Sequence, residues 1–308
     1  MKKSDLAGVT VATVLPFDET GAIDWASYER LIDYCGRSPA IAAIFVNGHA
    51  GEATSLSVEE RSEVIRRTRA LIGKDKPLMA GVIPHGVEDA VAQARSAQAD
   101  GADCYVVFPP AALGGGAAAT DAPLAYFEAV TSRVDIPASV FQFSLASGFG
   151  YSTSVLAQLA ALPKIVAVKE GSNTMLAYEE NLRALRNGAP DVAMLPSNYD
   201  WFLAQLAVGA DGLLSGLASL TPDWLGDLWN ASQSLDLTAM RAANDRLHPI
   251  VRTIYGAQPV VDMHSRIKVA LQEIGIIANA RPRLPLVPVR PEVDKAVRDA
   301  VRASGLKA

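Results

Sequence analysis

Residues 165–195 read "IVAVKEGSNTMLAYEENLRALRNGAPDVAML": an apolar β-rich run, an amphipathic stretch and a second apolar run. The pattern predicts a strand from Ile165 to Lys169, a helix from Met175 to Arg186 and a strand from Val192 to Leu195. A helix between two strands supplies the crossover that parallel pairing requires. The same unit recurs along the chain. Strands are predicted at Val9 to Leu15, Ala42 to Val46, Leu78 to Val82, Tyr105 to Phe108, Ser139 to Phe143 and Gly212 to Ser215, eight in all. Between them the helical pattern appears near Trp25 to Tyr34, Ser57 to Leu71, Val87 to Ala99, Pro123 to Val134, Ser154 to Leu162 and Trp201 to Val208. Ser57 and Glu60 have the spacing of a capping box, and Gly73 is the stop signal of that helix.

Eight βα units predict an α/β fold of the closed (β/α)8 TIM-barrel type, whose reactive residues lie at the C-terminal ends of strands. An open doubly wound sheet is the alternative, but "LPFDETGAID" after the first strand lacks the glycine fingerprint GxGxxG. Beyond residue 220 the pattern is wholly helical (Pro222 to Ser232, Leu237 to Ile254, Val261 to Ile274, Glu292 to Arg302). The expected organisation is therefore a barrel over residues 1–220 that carries the active site, with a C-terminal helical extension over 221–308 packed on it.

Half of the 308 residues are hydrophobic, one fifth are charged and the net charge is −5, so neither nucleic acid nor an anionic membrane is an expected partner. No apolar run approaches the roughly 20 residues that span a bilayer. "MKKSDLAGVTVATVLPF" reads as a first strand and not as a signal segment, which places the protein in the cytoplasm. Cys35 and Cys104 show no metal-ligand or CxxC spacing and are expected to be reduced packing residues. No metal site is expected from the four histidines and no cofactor is called for.

Lys169 carries the clearest chemical signal. Strand alternation puts Ile165, Ala167 and Lys169 on one side and Val166, Val168 and Glu170 on the other. An ammonium at a barrel mouth loses solvation, which lowers its pKa and frees the amine to attack a carbonyl carbon. A snorkelling lysine paired with a carboxylate is the competing account. His49 poses a similar question. It stands in "NGHAGE" (47–52), just after the second strand, either as a proton shuttle or as a turn residue bonded to a nearby backbone group.

Taken in order, several motifs over most of the chain resemble the dihydrodipicolinate synthase and N-acetylneuraminate lyase family. "GHAGE" at Gly48 to Glu52 looks like the family's "GTTGE", "IVAVKEGSN" like "IVGIKEASG", and "GADGLLSGLAS" like "GGxGVISG". "RLPLVPV" at Arg283 to Val289 is similar to "RLPLxPL". The family's (β/α)8 barrels join a lysine to a 2-oxo acid as a Schiff base. The resemblance implies that Lys169 is that lysine and that the amides of His49 and Ala50, with Gly48 and Gly51 allowing close approach, hold the carboxylate. It also implies Phe141, Leu214 and Ser215 around the substrate.

This sequence departs from the family at informative places. The two threonines of "GTTGE" are His49 and Ala50, the tyrosine of "LYNxPxRTG" falls on Phe141 in "SVFQFSLASG", and the arginine of that motif falls near Ala146. The tyrosine of "TPYYN" falls near Pro110 or Ala111. The nucleophile is kept, while the hydroxyls of the proton relay and the arginine that grips a second carboxylate are lost.

The expected function is a metal-independent class I lyase of aldolase type, divergent from true dihydrodipicolinate synthase. It would act on pyruvate or another 2-oxo acid with an aldehyde as second substrate, and His49 would move protons. A dehydratase or deaminase of a hydroxylated 2-oxo acid, using the same imine, is one alternative. A non-catalytic oxo-acid-binding paralogue is another. The resemblance further implies a homo-oligomer, dimer or tetramer. Gln142, Ser144, Ser147, Asn198 and Tyr199 are candidate polar contacts. Tyr105 and Tyr151 read as packing residues with satisfied hydroxyls, His85 as a turn residue, and His248 and His264 as core or surface residues of the helical tail.

Overall fold

In a computed structural model of the chain, residues 1–115, 121–197 and 199–308 are described, apart from the Tyr199 side chain. Asn198, that side chain and the middle of the loop after the fourth strand lie outside the described residues. The strands are β1 (Val9–Ala12), β2 (Ile41–Val46), β3 (Leu78–Val82), β4 (Cys104–Val107), β5 (Ala138–Phe143), β6 (Ile165–Gly171), β7 (Ala193–Pro196) and β8 (Leu213–Ser215). All ladders are parallel, in the order β7-β6-β5-β4-β3-β2-β1-β8. The eight strands form a nearly closed TIM barrel. At the seam between β7 and β8, the Asp211 amide donates to the Met194 carbonyl (3.0 Å) and the Asp211 carboxylate accepts from the Met194 amide (2.8 Å).

Helices α1 (Trp25–Gly36), α2 (Val58–Ile72), α3 (Val87–Ala99), α4 (Asp121–Thr131), α5 (Thr153–Ala160), α6 (Met175–Gly188) and α7 (Phe202–Val208) fill the crossovers. The capping box forms: Ser57 Oγ accepts from the Glu60 amide at 3.2 Å and the Glu60 carboxylate accepts from the Ser57 amide at 2.9 Å. Four helices follow β8: α8 (Pro222–Gln233), α9 (Leu237–Ile254), α10 (Met263–Glu273) and α11 (Pro291–Ser304). The first of these, α8, packs on β1 and α7.

Side chains alternate about the sheet as period 2 demands. Phe141, Ala167 and Leu195 face the barrel interior, whereas Val140, Val168 and Met194 join the core beneath the outer helices. β1 ends sooner than its apolar run, which continues to Leu15. Thr13 still donates to the Phe45 carbonyl at 3.0 Å, but the Val14 amide turns to the Ser219 hydroxyl at 3.3 Å and leaves the ladder.

Candidate active site

β6 presents Lys169 beside Phe141 of β5 and Leu195 of β7. Glu170, the next residue, points to the outer layer, where its carboxylate accepts from Asn181 of α6 at 3.2 Å. The alternation that separates these two charges puts Lys169 in a cavity of about 290 Å³ at the C-terminal ends of the strands. Its side chain is buried, with the residue 7% exposed. The amine sits 3.8 Å from the Phe141 ring centre, 5.4 Å from that of Phe45 and 5.8 Å from that of Phe108. No carboxylate pairs with it among the described residues. Burial lowers its pKa from the ordinary lysine value to about 7, so near neutrality about half of it is the free amine.

The second wall is the turn after β2. Asn47 and Glu52 take left-handed conformations (φ 56° and 51°) and bracket it. The Glu52 amide donates to the His49 carbonyl at 3.0 Å, and the Ala53 amide to the Gly48 carbonyl at 3.3 Å. The amides of residues 48–51 themselves find no acceptor among the described residues. His49 and Ala50 line the cavity, so two of these unused donors belong to residues on its wall. Gly48 and Gly51 do not line it. A side-chain carbon at Gly48 would stand 2.6 Å from the Phe45 ring, and one at Gly51 would stand 3.4 Å from the Thr13 carbonyl oxygen. Packing behind the turn accounts for Gly48, where sequence alone suggested approach to a ligand.

The His49 ring meets Phe108 edge-on at 4.9 Å between centres, and Phe141 and Phe143 at 5.9 Å each. It lines the cavity at the barrel mouth, where the residue remains exposed to solvent. Crowding of the ring, and then repulsion from Lys169, lower its pKa below the ordinary histidine value. The imidazole is therefore neutral at pH 7, with one nitrogen free to accept a proton.

Phe141, Leu214, Ser215, Ser144 and Ser147 also border the cavity. Gln142 turns away, exchanging hydrogen bonds with the Tyr151 backbone (2.7 and 3.0 Å). Tyr105 and Tyr151 are buried as expected, but their hydroxyls have no partner among the described residues, contrary to the satisfied hydroxyls anticipated. His85 is exposed in its turn and His248 on α9; neither lines the cavity.

His264 is the correction that matters most. Read from sequence as a tail residue, it lines the same cavity as Lys169 and His49. α10 brings it there, and α10 is fixed to the His49 turn by a buried ion pair between Lys268 and Glu52. Glu52 also accepts from the Arg283 amide at 2.8 Å. His264 and Lys268 are four residues apart on one helix and so share a face. Nothing in that spacing alone marks His264 as a residue of the site.

Lys169 is the only charged side chain among the described lining residues. Phe45, Phe141 and Phe143 give the lining apolar surface, and Ser144, Ser147, Ser197 and Ser215 give it hydroxyls. The arrangement suits a small carbonyl compound with one carboxylate.

The Dihydrodipicolinate synthetase family pattern matches residues 5–304. The chain belongs to that family. Its members are class I lyases. Among curated relatives, the 4-hydroxy-tetrahydrodipicolinate synthase of Pseudomonas aeruginosa is 28% identical over 98% of this chain and 100% of its own. That of Exiguobacterium sibiricum is 30% identical over 91% of each. The dihydrodipicolinate synthase structure from Thermotoga maritima superposes with a TM-score of 0.90 at 24% identity, covering 98% of this chain and 99% of that one. A prophage protein of the family from E. coli K12, solved in complex with pyruvate, gives 0.88 at 20% identity over 97% and 99%. At these identities the structural likenesses speak for the fold.

Proposed function

We propose that this protein is a Schiff-base lyase of aldolase type, in which Lys169 forms an imine with pyruvate or another 2-oxo acid. The observation that carries the reading is Lys169 itself, a buried amine that has no carboxylate partner among the described residues, in a cavity whose wall includes the His49 and Ala50 amides, which find no acceptor among those residues. The neutral amine attacks C2 of the oxo acid, the two amides receive its carboxylate, and the carbinolamine loses water to give the iminium. His49, neutral and facing the cavity, accepts and returns protons during these steps. Loss of a C3 proton gives an enamine that adds to an aldehyde; cleavage is the reverse.

The apolar phenyl wall and the lack of an arginine among the described lining residues favour a second substrate less charged than a dicarboxylate semialdehyde. On this reading the reaction diverges from that of the named relatives. A cytoplasmic homo-oligomer belongs to the same proposal, and light scattering on the purified chain decides its size.

Borohydride reduction after incubation with pyruvate and other 2-oxo acids, read by intact mass, tests the imine. The expected result is an adduct on wild type that Lys169→Ala abolishes while keeping its fold. Folded wild-type protein that takes up no oxo acid would overturn it.

A further inference from the structure

His264 has no role in the scheme above, yet it borders the same cavity from another side. A side-chain carbon at Gly216 would lie 3.4 Å from both Cδ2 and Nε2 of His264 and 3.6 Å from the Ala50 Cβ. His264 and Ala50 thus flank one gap, left open by the glycine that follows β8. Neither ring nitrogen of His264 has a hydrogen-bond partner among the described residues. Position 50 is also where the resemblance places a threonine hydroxyl that this chain lacks. A polar ring from α10 stands beside the position in the turn after β2 that carries no hydroxyl here.

We propose that His264 is a second proton-transferring residue of the Lys169 site, with the carbon next to the imine as its target. The proposal rests on the imine reading above. His49 is held among the phenyl rings of the β4 and β5 side, and His264 against Gly216 after β8, so the two imidazoles approach a bound oxo acid from different walls. In the proposed step a C3–H bond of the iminium breaks and its proton passes to Nε2 of neutral His264. The C–H electron pair becomes the C2=C3 double bond, and the C=N π pair settles on nitrogen and cancels the iminium charge. Reversal returns a proton from the imidazolium to C3. Burial of the ring, and the positive charge on Lys169, disfavour the protonated form of His264, so the resting ring is neutral and can accept a proton.

The step is measurable without knowing the aldehyde. In D2O each reversal exchanges a pyruvate methyl hydrogen for deuterium, which proton NMR follows. Wild type should exchange the methyl and Lys169→Ala should not. His264→Gln should keep its thermal melt and its borohydride-trapped Lys169 adduct while exchange falls about 100-fold or more, the usual contribution of a positioned acid-base group. In His264→Ala, added imidazole should restore exchange, and pyrazole, of equal size but far weaker basicity, should not. Undiminished exchange in His264→Gln with the adduct intact would overturn the proposal, as would equal rescue by pyrazole, which would make the ring a space-filler. Absence of any adduct on wild type would instead sink the imine reading, and this inference with it. Should the glutamine variant lose its fold, His264→Asn carries the same comparison.

Discussion

The Lys169 amine stands 3.8 Å from the centre of the ring of Phe141, the residue on which the sequence resemblance places the family's tyrosine. The ring's π face attracts the protonated amine but offers it no hydrogen bond. The two effects on Lys169 oppose each other: burial favours the neutral form and the ring favours the cation. Burial wins, which leaves the pKa at about 7. Adduct formation with pyruvate should therefore rise through a midpoint near pH 7, followed by mass after brief borohydride quenching. A midpoint near 10 would show an ordinary solvated lysine.

Phe141→Leu keeps apolar bulk and removes the π face. A cation–π contact of about 0.5–2 kcal/mol corresponds, at about 1.4 kcal/mol per pH unit, to a midpoint lowered by about 0.4–1.5 units. The same trapping profile checks the shift, and an upward move would show that the ring chiefly excludes water from the amine.

Lys169→Met should stabilise the fold in mildly acidic solution. The folded pKa is about 7 against 10.5 for an unperturbed lysine, so between those values the unfolded chain binds more protons and stability rises with pH. The deficit is complete below pH 7 and vanishes above about 10.5. Methionine removes it, for a gain of roughly 1–4 kcal/mol at pH 6. Urea unfolding at pH 6 and pH 10 should show the gain at the first pH and its shrinkage at the second.

Lys268→Met should be costly. It leaves the Glu52 carboxylate buried (2% side-chain exposure) without its cation, a loss of roughly 3–5 kcal/mol. The pair Glu52→Gln with Lys268→Met should recover part of this, because no uncompensated charge remains. Denaturant unfolding of both variants makes the comparison.

Gly81→Ala tests how the His49 turn is seated. Gly81 is in β3 and off the cavity, but a side-chain carbon there would stand 2.0 Å from the Asn47 carbonyl oxygen. The turn must shift or the strand must yield. Lower thermal stability together with weaker pyruvate adduct formation is expected; an unchanged melt and unchanged trapping would show that the turn is more yielding than the packing indicates.

Much of the barrel is legible in the sequence because its strands are buried on both faces and so appear as nearly unbroken apolar runs. The predicted ends agree to within two residues for seven strands; β1 fails where Val14 exchanges a ladder bond for the Ser219 hydroxyl. Lys169 is legible for the same reason, since its place in β6 fixes which way its side chain faces; His49, three residues past β2, is marked only by its place in the turn that follows a strand. His264 is not, because its position depends on how α10 docks, and docking is set by pairs such as Lys268 and Glu52 that lie far apart in the chain. Gly48 is ambiguous for a related reason, since a glycine required by a neighbouring ring reads the same as one required by a ligand.

The Lys268–Glu52 pair also sets an order of events during synthesis. A nascent chain that has released all eight strands already holds Lys169 and His49, but its Glu52 still lacks the cation that joins the turn to α10, and His264 has yet to arrive. The pocket would be completed only when the helical tail folds back. A chain ending near residue 235 and freed from the ribosome should accordingly lack a working site.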